Sequence, residues 1–174
     1  MKKHIRIVIP IIVTVALFYT GYRMVDLLRQ KKNLAEKIVH VPSFELKSTL
    51  GENFTNKNLK GSIPVVFFYF NSECDFCQAE IQDIVQNIRK FKDIQLIFVS
   101  FEPVQKIIMF QATYKLDIYD NIVFLSDYKN TFSETFGVKT LPSSLIYDKN
   151  GKLVSRNNGA VKVDYLLKAL KTTK

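Results

Sequence analysis

From Val41 onward the apolar positions switch repeatedly between short unbroken runs and a helical spacing. Phe44–Lys47 alternates apolar and polar residues, which predicts a strand, and Gly51 follows as turn punctuation. Pro64–Phe70 is a continuous apolar run between proline and polar residues, the pattern of a central strand buried on both faces. Ile81, Ile84, Val85 and Ile88 then line one face of a helix. Ile94–Phe101 predicts a second buried strand, Pro103 a helix start, and Val104, Ile107 and Ile108 the apolar face of that helix. Ile122–Leu125 reads as a short strand. Tyr128, Phe132 and Phe136 read as a short helix that Gly137 can end. Ser143–Tyr147 and Leu153–Arg156 flank the turn residues Lys149-Asn150-Gly151 as a hairpin, and Val163, Leu166, Leu167 and Leu170 mark a closing helix. Crossover helices first and a hairpin last predict an α/β domain over 41–174, with a mixed central sheet and helices on both faces.

The N-terminus follows another pattern. Lys2, Lys3 and Arg6 precede Ile7–Tyr22, a stretch without a charged residue. As a helix it would reach ~24 Å against a hydrocarbon core of ~30 Å, and Arg6 and Arg23 can snorkel outward. Residues 1–25 are therefore expected to be an N-terminal transmembrane anchor or uncleaved signal; a cleaved signal peptide and a buried core helix are the alternatives. Residues 26–40 are charged with scattered apolar positions and read as a polar stalk. A basic tip before a short apolar run resembles a secretion signal, which puts the domain outside the cytoplasmic membrane. The basic residues Arg23, Arg29, Lys31, Lys32 and Lys37 after the run argue the other way by the positive-inside rule.

Composition narrows the function. With 47% hydrophobic residues and 14 Phe, the chain has ample material for a core and needs no disulfide scaffold. The net charge of +9 is spread along the chain without a dense basic block, so a solvated basic surface is preferred and no nucleic-acid partner is expected.

The only two cysteines are Cys74 and Cys77, in Cys74-Asp75-Phe76-Cys77, directly between the Pro64–Phe70 strand and the next helix. A C-x-x-C pair at the mouth of a helix suits reversible disulfide chemistry. The first sulfur lies near unpaired N–H groups and the positive end of the helix dipole, both of which favour thiolate. Cys74 is thus the expected nucleophile, and Cys77, a turn further in, the resolving thiol. Zinc would need further ligands, and the only histidines, His4 and His40, lie outside the domain pattern, so no metal and no cofactor are expected. Two inert core thiols are the plainest alternative. Glu73 and Asp75 flank Cys74, and their charges oppose its thiolate, which predicts a reducing couple.

These residues resemble the thioredoxin-like fold. Within it they resemble the membrane-anchored TlpA/ResA-like thiol–disulfide oxidoreductases, part of the broader redoxin group that includes the AhpC/TSA peroxiredoxins. The similar segments are Val65-Val66-Phe67-Phe68-Tyr69-Phe70 leading into Cys74-Asp75-Phe76-Cys77-Gln78-Ala79-Glu80-Ile81, and Phe136-Gly137-Val138-Lys139-Thr140-Leu141-Pro142-Ser143-Ser144-Leu145-Ile146-Tyr147 continuing to Val154. The resemblance implies a redox-active Cys74/Cys77 disulfide and a cis-proline at Pro142 beside it. It also implies an acidic residue at Glu80 that relays protons to the buried thiol, the plain alternative being an exposed helix residue. Leu141, Pro142 and Phe76 are the expected substrate-facing residues. The chain departs from the family in having Glu73 where many members have Trp, and Phe68 where thioredoxins bury an acid.

The expected activity is reduction of protein disulfides outside the cytoplasmic membrane, with a membrane thiol transporter as electron donor. A peroxiredoxin-type peroxidase is an alternative. It calls for threonine at position 71, which is Asn71, and for an arginine near the motif. A non-catalytic binding module or metallochaperone on the same scaffold is the third reading.

Overall fold

A computed structural model describes residues 2–171, with side chains from Thr14 onward. Helix α1 spans Lys2–Lys37, and a separate compact unit begins at Ile38. The anchor expected over residues 1–25 thus lies in large part outside the residues whose side chains are described. Among the described residues, no helix is long and apolar enough to cross a membrane.

The compact unit is built on a seven-stranded sheet of order β2-β1-β5-β4-β3-β6-β7. Its strands are β1 (Glu45–Ser48), β2 (Asn53–Thr55), β3 (Val65–Phe70), β4 (Gln95–Ser100), β5 (Ile122–Ser126), β6 (Ser143–Tyr147) and β7 (Leu153–Asn158). The helices are α2 (Asp75–Gln86), α3 (Val104–Thr113), α4 (Thr131–Phe136) and α5 (Val163–Lys171). β3, β4 and β5 run parallel, and β6 returns antiparallel to β3. Every residue of β3 and β4 is buried, which is why β3 reads as an unbroken apolar run and β4 as the apolar run Leu96-Ile97-Phe98-Val99 between Gln95 and Ser100.

Strand alternation divides the core between the two faces. On one face Val66, Phe68 and Phe70 meet Phe98, Phe124 and Ile146 under Cys77, Ile81 and Ile84 of α2, Ile107 and Phe110 of α3, and Val163 and Leu166 of α5. On the other, Phe67 meets Phe44, Phe132, Phe136 and Tyr147 at ring separations of 5.4–5.9 Å. Two successive crossovers in one direction, β3-α2-β4 and β4-α3-β5, put α2 and α3 on the same side, whereas α4 belongs to the return and lies on the opposite side.

Several expectations need correction. Ile108 is exposed, and Phe110 fills the inward position of α3 instead, because a turn of 3.6 residues carries the buried stripe from Ile107 to Phe110. Pro103 does mark the start of α3, at the N-cap position before Val104. Tyr128 is not part of α4: Asn130, at φ 57°, turns the chain left-handed before the helix, and Tyr128 stays exposed. β2 was not expected, and β7 runs two residues beyond Arg156, to Asn158. Gly137 does end α4 in the left-handed conformation, donating its N–H to the carbonyl of Glu134.

Candidate active site

The carboxyl ends of β3 and β4 carry the site. β3 stops at Phe70, and Asn71-Ser72-Glu73 form a short loop into α2. Cys74 occupies the N-cap position with extended backbone, and no side-chain oxygen caps the first turn. Its own N–H donates to the Asn71 carbonyl at 3.3 Å, and its carbonyl accepts from Gln78 N–H at 2.9 Å. The loop therefore ends with the Cys74 sulfur at the amino end of a twelve-residue helix. Cys74 is half-buried, Cys77 is fully buried, and both are free thiols.

The two sulfurs are within hydrogen-bonding reach of one another. Burial pushes the Cys77 thiol up to about 12. Its hydrogen bond with Cys74 and the nearby charges of Cys74 and Glu80 act in the same direction, while a hydrogen bond with the Asn71 backbone acts against them. Cys77 is a thiol at neutral pH, so the exposed sulfur is the one available for attack.

Glu80 lies one turn beyond Cys77 with only 5% of its surface exposed. Its Oε1 accepts the Val161 N–H at 3.0 Å, and the Asp83 carboxylate accepts the Val163 N–H at 3.1 Å. Burial raises the Glu80 carboxyl to about 7, the Val161 hydrogen bond restrains the shift, and the charge of Asp83 adds to it. The plain alternative of an exposed helix residue does not hold for Glu80.

The Leu141-Pro142 peptide is cis. The β3–β6 register ends at Tyr69↔Ser143, so the next positions along, Phe70 and Pro142, lie side by side at the start of the cysteine loop. Leu141 packs, like Cys74, against the core cluster that contains Cys77. Phe76 projects from the first turn of α2 with 71% of its surface exposed. The fold thus gathers Cys74, Cys77, Glu80, Leu141, Pro142 and Phe76 at one end of the sheet. Phe68 is buried and stacked on Phe98 at 5.0 Å, so no acid lies beneath the cysteines at that position.

Three residues were not singled out from the sequence. Glu102, 3% exposed, follows β4 and accepts from Ser72 N–H at 2.7 Å, Ser72 Oγ at 2.6 Å and Ser100 Oγ at 3.0 Å. Lys106 of α3 pairs with Glu73 at 2.7 Å and stands 3.9 Å from Glu102. The Glu73 charge expected to oppose the Cys74 thiolate is therefore already paired, and the hydrogen bond from Lys106 holds the Glu73 carboxyl below its ordinary range. Asp127, almost fully buried, accepts from Tyr69 Oη at 3.1 Å and from the Phe132 and Ser133 N–H groups at 2.9 Å, which anchors the start of α4. Among the described residues no group of three or more His, Cys, Asp or Glu could hold a metal ion.

No curated protein sequence is significantly similar to the chain. The fold is similar to that of DsbF of Mycobacterium tuberculosis (MTB), solved in mixed oxidized and reduced forms, with a TM-score of 0.66 at 19% identity over 79% of this chain and 97% of that one. Peroxidoxin BcpB from Mycobacterium tuberculosis gives a TM-score of 0.66 at 21% identity over 78% and 96% of the two chains. The exposed lipoprotein thioredoxin Etrx1 from Streptococcus pneumoniae gives 0.58 at 28% identity over 75% and 98%. The fold is therefore thioredoxin-like. The model of the AhpC/TSA family matches residues 39–156, which include β3, both cysteines and Pro142. With more than half its length matched and its two thiols side by side at the carboxyl end of the sheet, the chain belongs to the AhpC/TSA family and is a thiol redox enzyme.

Proposed function

We propose that the chain reduces protein disulfides outside the cytoplasmic membrane, with Cys74 as attacking and Cys77 as resolving thiol. The observation that carries the reading is the inequality of the two sulfurs: Cys74 is half-exposed at the helix start, and Cys77 is buried beside it as a thiol. Attack by the Cys74 thiolate on a substrate disulfide breaks its S–S bond, and the departing sulfur takes up a proton. Cys77 then gives up its proton and attacks Cys74 in the mixed disulfide. The second substrate sulfur leaves and is protonated. The substrate gains two electrons and two protons, and the chain is left with a Cys74–Cys77 disulfide.

Glu80 suits the second step. Its carboxyl is raised to about 7, so both of its protonation forms are populated near neutrality, and its charge is felt at Cys77. Phe76 is exposed two residues after Cys74, and Leu141 packs with Cys74 against the same core cluster; with Pro142 they are the proposed surface on which a substrate polypeptide would lie. A membrane thiol transporter is the proposed source of electrons, and the N-terminal segment the proposed membrane tether.

The peroxidase reading is less well supported. Asn71 lies where a threonine would be needed. Of the arginines in the compact unit, Arg89 follows the far end of α2, and Arg156 lies on β7 and donates to the Gly137 carbonyl.

The test is mixed-disulfide trapping with the full chain. Cys77→Ser should accumulate covalent adducts with protein disulfides that dithiothreitol releases, and Cys74→Ser should not. Adducts formed through Cys77 in the Cys74→Ser chain would overturn the assignment.

A further inference from the structure

Ser72, two residues before Cys74, is held from two sides. Its N–H and its Oγ–H both donate to the Glu102 carboxylate, one to each oxygen, at 2.7 and 2.6 Å. Its carbonyl accepts from Gln78 Nε2, from within α2, at 2.7 Å. Glu102 is itself fixed. Its carboxylate accepts from Ser100 Oγ, its N–H donates back to that same oxygen at 3.2 Å, and its carbonyl accepts from Ser126 Oγ at 2.9 Å. One buried residue thus links the carboxyl ends of β4, through its carboxylate, and β5, through its carbonyl, to the loop that leaves β3.

We propose that Glu102 is a positioning residue of the dithiol: by clasping Ser72 it fixes where the Cys74 sulfur is presented to Cys77. The inference rests on the redox reading above for the chemistry of the sulfurs, and on the hydrogen bonds alone for their placement. Two donors of one residue bound to two acceptor atoms leave Ser72 no free rotation, and hydrogen bonds to a charged group are the stronger kind. Only Glu73 separates the clasped residue from Cys74, and Lys106 ties Glu73 to the same carboxylate from outside. Freedom in this loop would lower the effective concentration of one sulfur at the other, and a disulfide closes in proportion to that concentration.

Glu102→Gln keeps the size of the side chain but replaces one acceptor oxygen with a donor, so one of the Ser72 bonds is lost. The full chain should be equilibrated with glutathione and glutathione disulfide, and the dithiol and disulfide forms separated. The expected result is a shift of the equilibrium toward the dithiol of roughly tenfold, the scale of one charge-assisted hydrogen bond. A purely structural role would weaken the reduced and oxidised forms equally and leave this equilibrium where it was. Ser72→Ala should shift it in the same direction, and the double variant should shift it no further than Glu102→Gln alone.

An unchanged equilibrium in Glu102→Gln, or fully additive effects of the two substitutions, would overturn the proposal. If Glu102→Gln does not fold, Ser72→Ala decides by the same criterion: a shift supports the clasp and no shift refutes it. Glutathione reports only whether the two sulfurs close, so failure to exchange with protein disulfides would remove the proposed function and leave the clasp intact.

Discussion

Glu80, three residues after the buried cysteine, accepts a hydrogen bond from the backbone N–H of Val161, 81 positions away in sequence. The bond closes the segment before α5 onto the helix that carries the dithiol, and it places a carboxyl group where water is scarce. Burial raises that carboxyl from 4.5 to about 7. The folded state then binds the Glu80 proton more tightly than the unfolded state, so stability contributed by the neutral form is complete below about pH 4.5 and is lost as pH rises through about 7. The loss is on the order of 3 kcal/mol at most. Glu80→Gln keeps an acceptor for Val161 and has no charge to bury. It should match the wild type in urea unfolding at pH 5 and exceed it at pH 8. Equal stabilities at both values would remove the buried-acid description of Glu80.

The inequality of the cysteines makes a simple chemical prediction. Burial pushes Cys77 to about 12, so iodoacetamide at pH 7.5 should modify one sulfur of the reduced native chain and two after unfolding. Peptide mapping should find the native label on Cys74. Label on Cys77 would mean that the interior opens far more readily than its packing implies.

Phe76 offers a way to separate recognition from chemistry. It is 71% exposed, so Phe76→Ser should change stability by less than about 0.5 kcal/mol. If the ring is where polypeptide substrates rest, KM for a protein disulfide should rise several-fold while the rate with a small aromatic disulfide stays constant. A parallel loss with both substrates would assign Phe76 to the dithiol rather than to binding.

Topology is testable in intact cells. With the domain outside the cytoplasmic membrane, a membrane-impermeant maleimide applied after mild reduction should label Cys74 without lysis. Labelling only after lysis would show that Arg23, Arg29, Lys31, Lys32 and Lys37 are the better guide to orientation.

What the sequence made legible is what short-range pattern encodes. The apolar run of β3, the cysteines at the mouth of α2 and the hairpin of β6 and β7 each show within one short, continuous stretch of sequence. Glu102 and Lys106 could not be found in that way. Ser72 and Glu102 are 30 positions apart, and nothing local marks either as a partner of the other. They meet because β3 and β4 pair in parallel with Phe70 opposite Ser100, which carries the residues two further along to the same level. Had that register been known, an acid just past the end of an apolar strand would have been the signal. The same dependence hid the pairing of Glu73: its charge was visible, and its counter-charge came from a helix that only the fold brings near.

The sheet has a very apolar centre but modest borders. β2, at one border, is three residues long, and β7, at the other, ends in Ser155-Arg156-Asn157-Asn158. A border strand with free backbone groups invites another chain to add to it, and shortness and polar or charged side chains are how proteins resist that. A chain whose β3 and β4 would stick to almost anything if uncovered thus keeps them three strands in from one border and two from the other. Its resistance to aggregation should depend less on overall stability than on those two inexpensive margins. A hydrophobic substitution at Arg156 or Asn158 would be felt first as lost solubility.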